Sequence, residues 1–255
     1  MSQMFSGNPA NLRLFQYNTK HLNNFIVGNS NQYAYKAVQL FANTHCPEYY
    51  NPLLIIGSPG SGKTHLLEGI YQKFCWKLKS AASKIYYTTG LNFSREYVAA
   101  IRSNGLDSFR QRYFTYKIVL MDDIQLLKSK KKTQHEFAYL FDMMNEKGGK
   151  FILASNSPVE PNIAWDYRLV SRIKNGLNIK INPPDYQTKM NILQTMQLKF
   201  RRKIDQSVLD LIAQKADTNL HDLMEIAEKI LSGNITSRNG IEKTISDIMG
   251  QGSQH

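Results

Sequence analysis

The sequence has few cysteines and no long apolar run. Its two cysteines, Cys46 and Cys75, cannot form a disulfide framework and lack the spacing of metal ligands. Each lies in an apolar-periodic stretch, so we expect reduced core thiols in a cytosolic protein. No apolar run approaches the roughly 20 residues that span a bilayer, and residues 1–15 lack the apolar core of a signal peptide. These absences predict a soluble, cytoplasmic protein without a membrane partner.

Acidic residues are the other scarce class. The chain carries 32 lysines and arginines against 20 aspartates and glutamates, which gives a formal net charge of +12. Such an excess indicates a polyanionic partner, while solubility or a basic proteome is the alternative explanation. The length of 255 residues is enough for one full core and a small appendage.

The most informative stretch is residues 51–64, with the sequence NPLLIIGSPGSGKT. It matches the phosphate-loop pattern G-x-x-x-x-G-K-[ST] at every fixed position. The glycines let the backbone N–H groups point at phosphate oxygens, Lys63 supplies positive charge, and the Thr64 hydroxyl can ligate Mg²⁺. An apolar strand before the motif and a helix after it disfavour a chance match. We predict a nucleoside triphosphate site formed by Gly57, Ser58, Pro59, Gly60, Ser61, Gly62, Lys63 and Thr64.

Polar residues follow two further apolar strands. Residues 117–121 run into Asp122 and Asp123. In phosphate-loop NTPases an acid at this position holds Mg²⁺ through water, and the next acid can polarise the attacking water. We therefore predict Asp122 as the metal-side carboxylate and Asp123 as the general base. Asn156 follows the strand at residues 150–154, where it would contact the γ-phosphate, orient water or serve as an ordinary turn residue.

Two basic stretches lie between these motifs. Residues 93–113 show helical spacing of apolar residues with arginines between them. The apolar positions include Tyr97, Ile101, Phe109 and Tyr113. Lys128 and residues 130–132 form a second cluster ahead of a helix predicted from about Thr133 to Lys147. A solvated surface is the default explanation of such charges, and contact with nucleic acid is the sharper hypothesis.

The order of elements predicts an α/β fold. Strands and helices alternate until Pro183 and Pro184, and only helical patterns follow. We expect a parallel sheet with helices on both faces and the phosphate loop after its first strand, followed by a small all-α lid. The predicted divisions are a flexible tail at 1–22, a nucleotide-binding domain at 23–182 and a helical lid domain at 183–255, with the nucleotide between the last two.

Together these motifs resemble the DnaA family of AAA+ ATPases over about residues 24–249. Residues 25–31, FIVGNSN, look like the family's nucleotide-base segment, which assigns Phe25 and Val27 to the nucleotide. Residues 121–125, MDDIQ, look like its Walker B motif. Residues 168–172, RLVSR, look like its box VII, which implies that Arg172 is an arginine finger acting on a neighbouring subunit's ATP. The resemblance places Arg168 at the subunit interface.

The same resemblance implies ATP or ADP, Mg²⁺ and assembly with like or related subunits. The insertion at residues 93–113 resembles the initiator-specific helices that stack ATP-bound subunits and grip single-stranded DNA. Lys130 and Lys132 fall where basic residues of the family touch that strand. His221 stands where the lid of the family carries a γ-phosphate-sensing arginine, which puts ATP-versus-ADP sensing in doubt because histidine is mostly neutral at pH 7.

The chain is expected to lack the family's C-terminal helix-turn-helix, and therefore sequence-specific duplex binding. Residues 11–15, NLRLF, resemble the sliding-clamp peptide of Hda-type regulators, which offers Leu12, Leu14 and Phe15 as anchors.

The first hypothesis is a regulator that presents Arg172 to a full-length initiator while bound to the clamp. The second is a short initiator or helicase-loader-like module that assembles on single-stranded DNA with ATP. The third is an adaptor that binds nucleotide without further activity.

Overall fold

The structure, a computed structural model, describes residues 20–41, 50–77, 84–215, 220–233, 235 and 237–252. Its sheet has five parallel strands in the order β2-β3-β4-β1-β5. They are β1 (Leu53–Ile56), β2 (Ile85–Thr89), β3 (Ile118–Asp122), β4 (Lys150–Ser155) and β5 (Leu177–Lys180). Because β1 lies between β4 and β5 and runs parallel to both, the loop that follows β1 lies beside the carboxyl ends of the neighbouring strands.

Ten α-helices are present in the described residues. Six belong to the part of the chain that contains the sheet, namely α1 (Gln32–Phe41), α2 (Lys63–Lys77), α3 (Gly90–Arg102), α4 (Leu106–Phe114), α5 (Lys131–Asn145) and α6 (Tyr167–Asn175). Four follow the sheet, namely α7 (Tyr186–Phe200), α8 (Gln206–Lys215), α9 (Leu220–Ser232) and α10 (Arg238–Gly252). Two short 3₁₀ helices occupy Leu22–Asn24 and Ile124–Leu127. Within the described ranges, none of the helices has the length and apolar character needed to cross a membrane.

The side chains of the strands alternate between two apolar layers. Strand β1 sends Leu53 and Ile55 to one face of the sheet and Leu54 to the other. Helices α1 and α2 cover the first face with residues such as Val38 and Leu67, and α3 to α6 cover the second. The predicted α/β fold, a parallel sheet with helices on both faces and the phosphate loop after its first strand, is confirmed.

Helices α7 to α10 pack around an apolar cluster of their own. Their buried side chains recur at helical spacing, as Leu223, Ile226 and Ile230 do on α9. Ile26, which precedes α1 in the sequence, is partly buried and also packs against this cluster. The domain divisions at residues 22 and 182 stay predictions.

The arginine-rich insertion differs from its prediction in detail. It forms two helices, α3 and α4, because Asn104 has a left-handed backbone with φ 53° at the break. Phe109 and Tyr113 are buried as their spacing indicates, but Ile101 is 49% exposed, because the buried face of α3 runs through Tyr97 and Ala100 and Ile101 lies beside it. The following helix, predicted from about residue 133, begins two residues earlier, at Lys131.

The prediction of two core thiols is only partly supported. Cys75 has a free thiol but is half-buried, near the C-terminal end of α2. Cys46 lies outside the described residues.

Candidate functional site

The loop between β1 and α2 has a backbone that only glycine tolerates at two points. Gly60 and Gly62 have φ values of 73° and 97°, in the left-handed region. A Cβ atom on Gly62 would lie 2.9 Å from Cε2 of Phe25, and one on Gly57 would lie 2.5 Å from Oγ of Ser61. Glycine is therefore required both for the curl of the loop and for the side chains packed against it.

Two donors of this loop are buried. The Lys63 Nζ donates to the carbonyl oxygens of Gly57 and Ser58, at 2.8 and 2.9 Å, and burial lowers the pKa of Lys63 although Asp122 counteracts the shift. Among the described residues, Ser61 Oγ is the buried side-chain polar atom without a hydrogen-bond partner. An anion accepted by this loop would receive both donors, so the residues fit a phosphate group.

The end of β3 meets the start of α2. The Thr64 Oγ1 donates to Oδ2 of Asp122 at 2.6 Å, and the backbone N–H of Asp123 donates to Oδ1 of the same carboxylate at 2.9 Å. A hydroxyl and a carboxylate are hard oxygen ligands, and Mg²⁺ is usually held by one or two such side chains together with phosphate oxygens and water. The predicted metal residues are thus brought together and fit Mg²⁺.

Gln125 links the predicted base to the tip of β4. Its Nε2 donates to Oδ1 of Asp123 at 2.8 Å, and its Oε1 accepts from the backbone N–H of Asn156 at 3.1 Å. A carboxylate only accepts and an N–H only donates, so these partners determine the orientation of the amide. Asp123 has a left-handed backbone with φ 51° and ψ 47°. Sequence patterns do not reveal this role of Gln125, although it lies within the Walker B segment.

Tyr87 is a second residue of the site that sequence patterns do not reveal. It lies on β2, and its hydroxyl donates to Oδ2 of Asp122 at 3.3 Å. Burial and then the charge of Asp122 raise the pKa of the Tyr87 hydroxyl. In the sequence this tyrosine is one of several residues of a β-rich run, and no spacing rule distinguishes it from Tyr86.

The segment before α1 packs between the phosphate loop and the lid. The Phe25 ring stacks on Tyr35 with centroids 5.7 Å apart and meets His65 edge-on at 5.3 Å. Val27 is 41% exposed. A Cβ on Gly28 would lie 1.9 Å from Oγ1 of Thr188 on α7, so the segment contacts the lid directly.

The two predicted interface arginines lie on α6. Both carboxylate oxygens of Asp142 on α5 accept hydrogen bonds from Arg172, whose Nη1 also donates to the carbonyl of Arg168 at 2.8 Å. The hydrogen bond with Asp142 raises the pKa of Arg172, whereas burial works against the shift. Arg168 is exposed, with its guanidinium carbon 5.7 Å from the centre of the Tyr167 ring. Arg172 is therefore held on its own chain by an ion pair.

Comparison with known proteins agrees with this geometry. The model of the bacterial DnaA ATPase domain matches residues 17–180, which contain the phosphate loop, the Walker B carboxylates and both interface arginines. The chain belongs to the bacterial DnaA ATPase domain family.

Individual relatives support the assignment to the DnaA family. The chromosomal replication initiator protein DnaA of Buchnera aphidicola subsp. Cinara cedri is 35% identical over 207 residues, 81% of this chain and 47% of the relative. The chain thus spans about half the length of the curated relatives it matches. Domain III of Thermotoga maritima DnaA has a TM-score of 0.80 at 29% identity, with 91% of this chain and 97% of that chain covered.

A second solved structure, of the replication initiator DnaA bound to AMPPCP and single-stranded DNA, has a TM-score of 0.79 at 27% identity. The match covers 90% of this chain and 69% of that one.

The residues predicted to bind DNA in this member of the DnaA family are only partly brought together. Lys130 lines a groove of about 610 Å³ against Arg95, Val98 and Arg102 of α3. Lys132 is exposed on the first turn of α5 and does not line the groove.

The lid histidine has acidic neighbours. His221 is the second residue of α9, its side chain is 74% exposed, and its Nδ1 lies 3.9 Å from Asp222 and 4.0 Å from Glu225. The predicted clamp-binding residues of this DnaA-family chain fall outside the described residues, namely Leu12, Leu14 and Phe15. The roles assigned to these site residues stay predictions.

Proposed function

We propose that the chain binds ATP or ADP with Mg²⁺ and acts in the control of chromosomal replication initiation. The observation that carries the proposal is the hydrogen bond from the Thr64 hydroxyl to the Asp122 carboxylate, which joins the glycine loop to the end of β3. Lys63 would hold the β- and γ-phosphates, and Thr64 and Asp122 would hold Mg²⁺, the latter through water. When bound, Mg²⁺ neutralises charge on the phosphate oxygens. Phe25, Val27 and His221 would line the rest of the nucleotide site.

Hydrolysis in this proposal depends on the Walker B base. Asp123 would accept a proton from the attacking water or orient it, and Gln125 keeps the Asp123 carboxylate in place through the hydrogen bond at 2.8 Å. Asn156 would contact the γ-phosphate from the tip of β4, next to the start of the loop, where the Gly57 N–H donates to Ser155 at 3.1 Å. If Arg172 acts on a neighbouring subunit's ATP, as in the family it resembles, the ATP site of this chain would in turn need an arginine from a partner for full activity.

The specific role that we infer is an Hda-like one. Arg172 would enter the ATP site of a full-length DnaA-type initiator, with Arg168 at the interface. Leu12, Leu14 and Phe15 would anchor the chain to the sliding clamp. The Arg172 and Asp142 side chains are 27% and 40% exposed, so the guanidinium lies close to the surface, where a phosphate could take the place of the Asp142 carboxylate.

The second candidate function is assembly on single-stranded DNA with ATP. The groove between α3 and Lys130 supports it, since it combines the apolar side chain of Val98 with the charges of Arg95 and Arg102. Basic side chains that follow the phosphates and apolar surfaces that meet the bases are the usual components of such a site. The proposed partner is then a single-stranded polynucleotide together with further copies of the chain.

Hydrolysis of ATP preloaded on a full-length initiator, with clamp-loaded DNA, separates the two functions. We expect this protein to accelerate hydrolysis. Arg172→Ala should lower the acceleration by about a thousandfold, at the low end of arginine-finger effects. Leu14/Phe15→Ala should also lower the acceleration, because the chain would lose its anchors on the clamp. Lys174→Ala, an exposed change on the same helix, is the control.

Other outcomes select other functions. ATP-dependent binding to a single-stranded oligonucleotide that is lost in Lys130→Ala, without acceleration, would favour the assembly module. Nucleotide binding with neither activity would favour an adaptor. Retention of nucleotide by Lys63→Ala would overturn the proposed site itself.

A further inference from the structure

Tyr87 occupies a place between the sheet and α2. Its strand, β2, pairs with β3 so that Thr89 lies opposite Asp122. The Tyr87 ring meets Tyr71 of α2 edge-on, with centroids 6.0 Å apart, and its hydroxyl reaches Oδ2 of Asp122 at 3.3 Å. The ring is thus held by packing while its polar end faces the carboxylate.

The Asp122 carboxylate receives donors from three separate elements. Oδ1 accepts from the N–H of Asp123 after β3, and Oδ2 accepts both from Thr64 on α2 and from Tyr87 on β2. Thr64 is also the residue whose hydroxyl would ligate Mg²⁺. The Tyr87 hydroxyl is therefore the side-chain donor to Asp122 that has no other task in the proposed site.

The phenol is suited to a fixed donor role. A tyrosine hydroxyl has an ordinary pKa of about 10, so it keeps its proton at neutral pH and can donate to the carboxylate. An uncharged hydroxyl donates to the carboxylate without adding a positive charge, whereas a lysine or arginine at the same place would compete with the metal cation for the carboxylate. Residues that hydrogen-bond to metal ligands orient them and commonly change metal affinity by about 10–100-fold when they are removed. We expect the low end of this range here, because Asp122 would hold Mg²⁺ through water.

We propose that Tyr87 is a positioning residue that holds the Asp122 carboxylate in the orientation needed for Mg²⁺. The assignment rests on the proposed nucleotide site and adds a residue that would strengthen the affinity of this site for Mg²⁺. Tyr87 acts through Asp122 and touches neither the nucleotide nor the metal.

The neighbouring residue supplies a matched control. Tyr86 lies on the same strand and points to the opposite face, where its hydroxyl donates to Glu96 on α3. Tyr86→Phe and Tyr87→Phe therefore remove the same atom from adjacent positions, and only the second removes a donor from Asp122.

The test is a titration of the full chain with fluorescent ATP, in EDTA and over a series of Mg²⁺ concentrations. We expect Tyr87→Phe to raise the Mg²⁺ concentration for half-maximal tightening by about tenfold, at the lower end of the range for residues that hydrogen-bond to metal ligands. Its affinity for ATP in EDTA should stay within about twofold of the wild type, and Tyr86→Phe should follow the wild type in both conditions. In an Asp122→Asn background, Tyr87→Phe should add less than about twofold, because partners in one interaction are not additive.

Three outcomes would overturn the assignment. An unchanged Mg²⁺ dependence in Tyr87→Phe, with a wild type that binds ATP normally, would refute the role of Tyr87 and leave the nucleotide site intact. Equal weakening in EDTA and in Mg²⁺ would show that Tyr87 contributes packing only. A wild-type chain that binds no nucleotide would overturn the proposed function and this assignment together.

Discussion

At the residue scale, His65 shows how the fold changes the chemistry of one side chain. It is the third residue of α2, and its Nε2 lies 2.9 Å from the carbonyl oxygen of His21. A carbonyl only accepts, so Nε2 carries the proton. Burial lowers the pKa of His65 below 6.5 despite this hydrogen bond, with Lys20 lowering it further and Glu68 opposing. The native state therefore favours neutral His65.

The stability of the protein should consequently decrease in mild acid. Above pH 6.5, the ordinary pKa, His65 is neutral in both states and the native fold has its full stability. As the pH falls below that value the unfolded chain takes up a proton first, and stability is lost until the lowered native pKa is passed. Urea unfolding between pH 7.5 and 5 should show this decrease, and His65→Gln, which keeps a donor, should reduce it. Identical pH slopes in the two proteins would contradict the prediction.

At the element scale, ion pairs attach the insertion to the rest of the molecule. Arg110 of α4 donates to both carboxylate oxygens of Glu136 on α5, at 2.7 and 2.8 Å, and its guanidinium lies 4.5 Å from the Tyr139 ring centre. The Glu136 side chain is 6% exposed. On α3, Glu96 accepts from two tyrosines and from Arg112. The Arg110–Glu136 pair holds α4 against α5, and the bonds of Glu96 hold α3 against α4 and β2. The groove lysine, Lys130, directly precedes α5.

Loss of the Arg110 side chain should be costly, because it leaves Glu136 buried without its partner. We expect Arg110→Ala to lower the free energy of unfolding by about 3 kcal/mol, as for other broken buried pairs. Arg102→Ala, at the exposed end of α3, should change it by less than about 0.5 kcal/mol. Equilibrium urea denaturation of both variants measures the difference. Equal costs would mean that the pair does not attach α4 to α5.

At the scale of the whole molecule, the base segment connects the nucleotide site to the lid. Asn29 donates to Asp185 at 3.3 Å, and the N–H of Asn182 donates to the Ser30 carbonyl at 3.1 Å. Asp185 also caps α7 by accepting from the N–H of Thr188. A movement of the lid would therefore displace the segment that packs on the phosphate loop.

A methyl group at Gly28 should disturb this connection. Its Cβ would lie 1.9 Å from Oγ1 of Thr188, and 3.0 Å from Cβ and Cγ2 of the same residue. We expect Gly28→Ala to weaken ATP binding about tenfold or more by separating the segment from α7, with partial recovery in Gly28→Ala/Thr188→Ala. Gly105→Ala, where the nearest atom is a serine Oγ at 3.2 Å, is the control. ATP titration of the three variants checks this, and wild-type affinity in Gly28→Ala would refute the connection.

The sequence by itself determined the parts of this protein that depend on neighbouring residues. The spacing of Gly57, Gly62, Lys63 and Thr64 needs only a local curl, and the β1 pattern needs only a buried strand. The meeting of Thr64 with Asp122, 58 residues away, was also predictable, because parallel strands bring their carboxyl ends to one edge. The family assignment followed from the same local motifs.

Tertiary packing alone decided three other contacts of the site. The hydroxyl of Tyr87 reaches Asp122, Gln125 joins Asp123 to the backbone of Asn156, and Arg172 pairs with Asp142. Each of these contacts depends on the angle and distance between two packed elements, to which local patterns are insensitive. Two adjacent tyrosines of one strand can therefore have different partners and different chemistry, because successive side chains of a strand point to opposite faces.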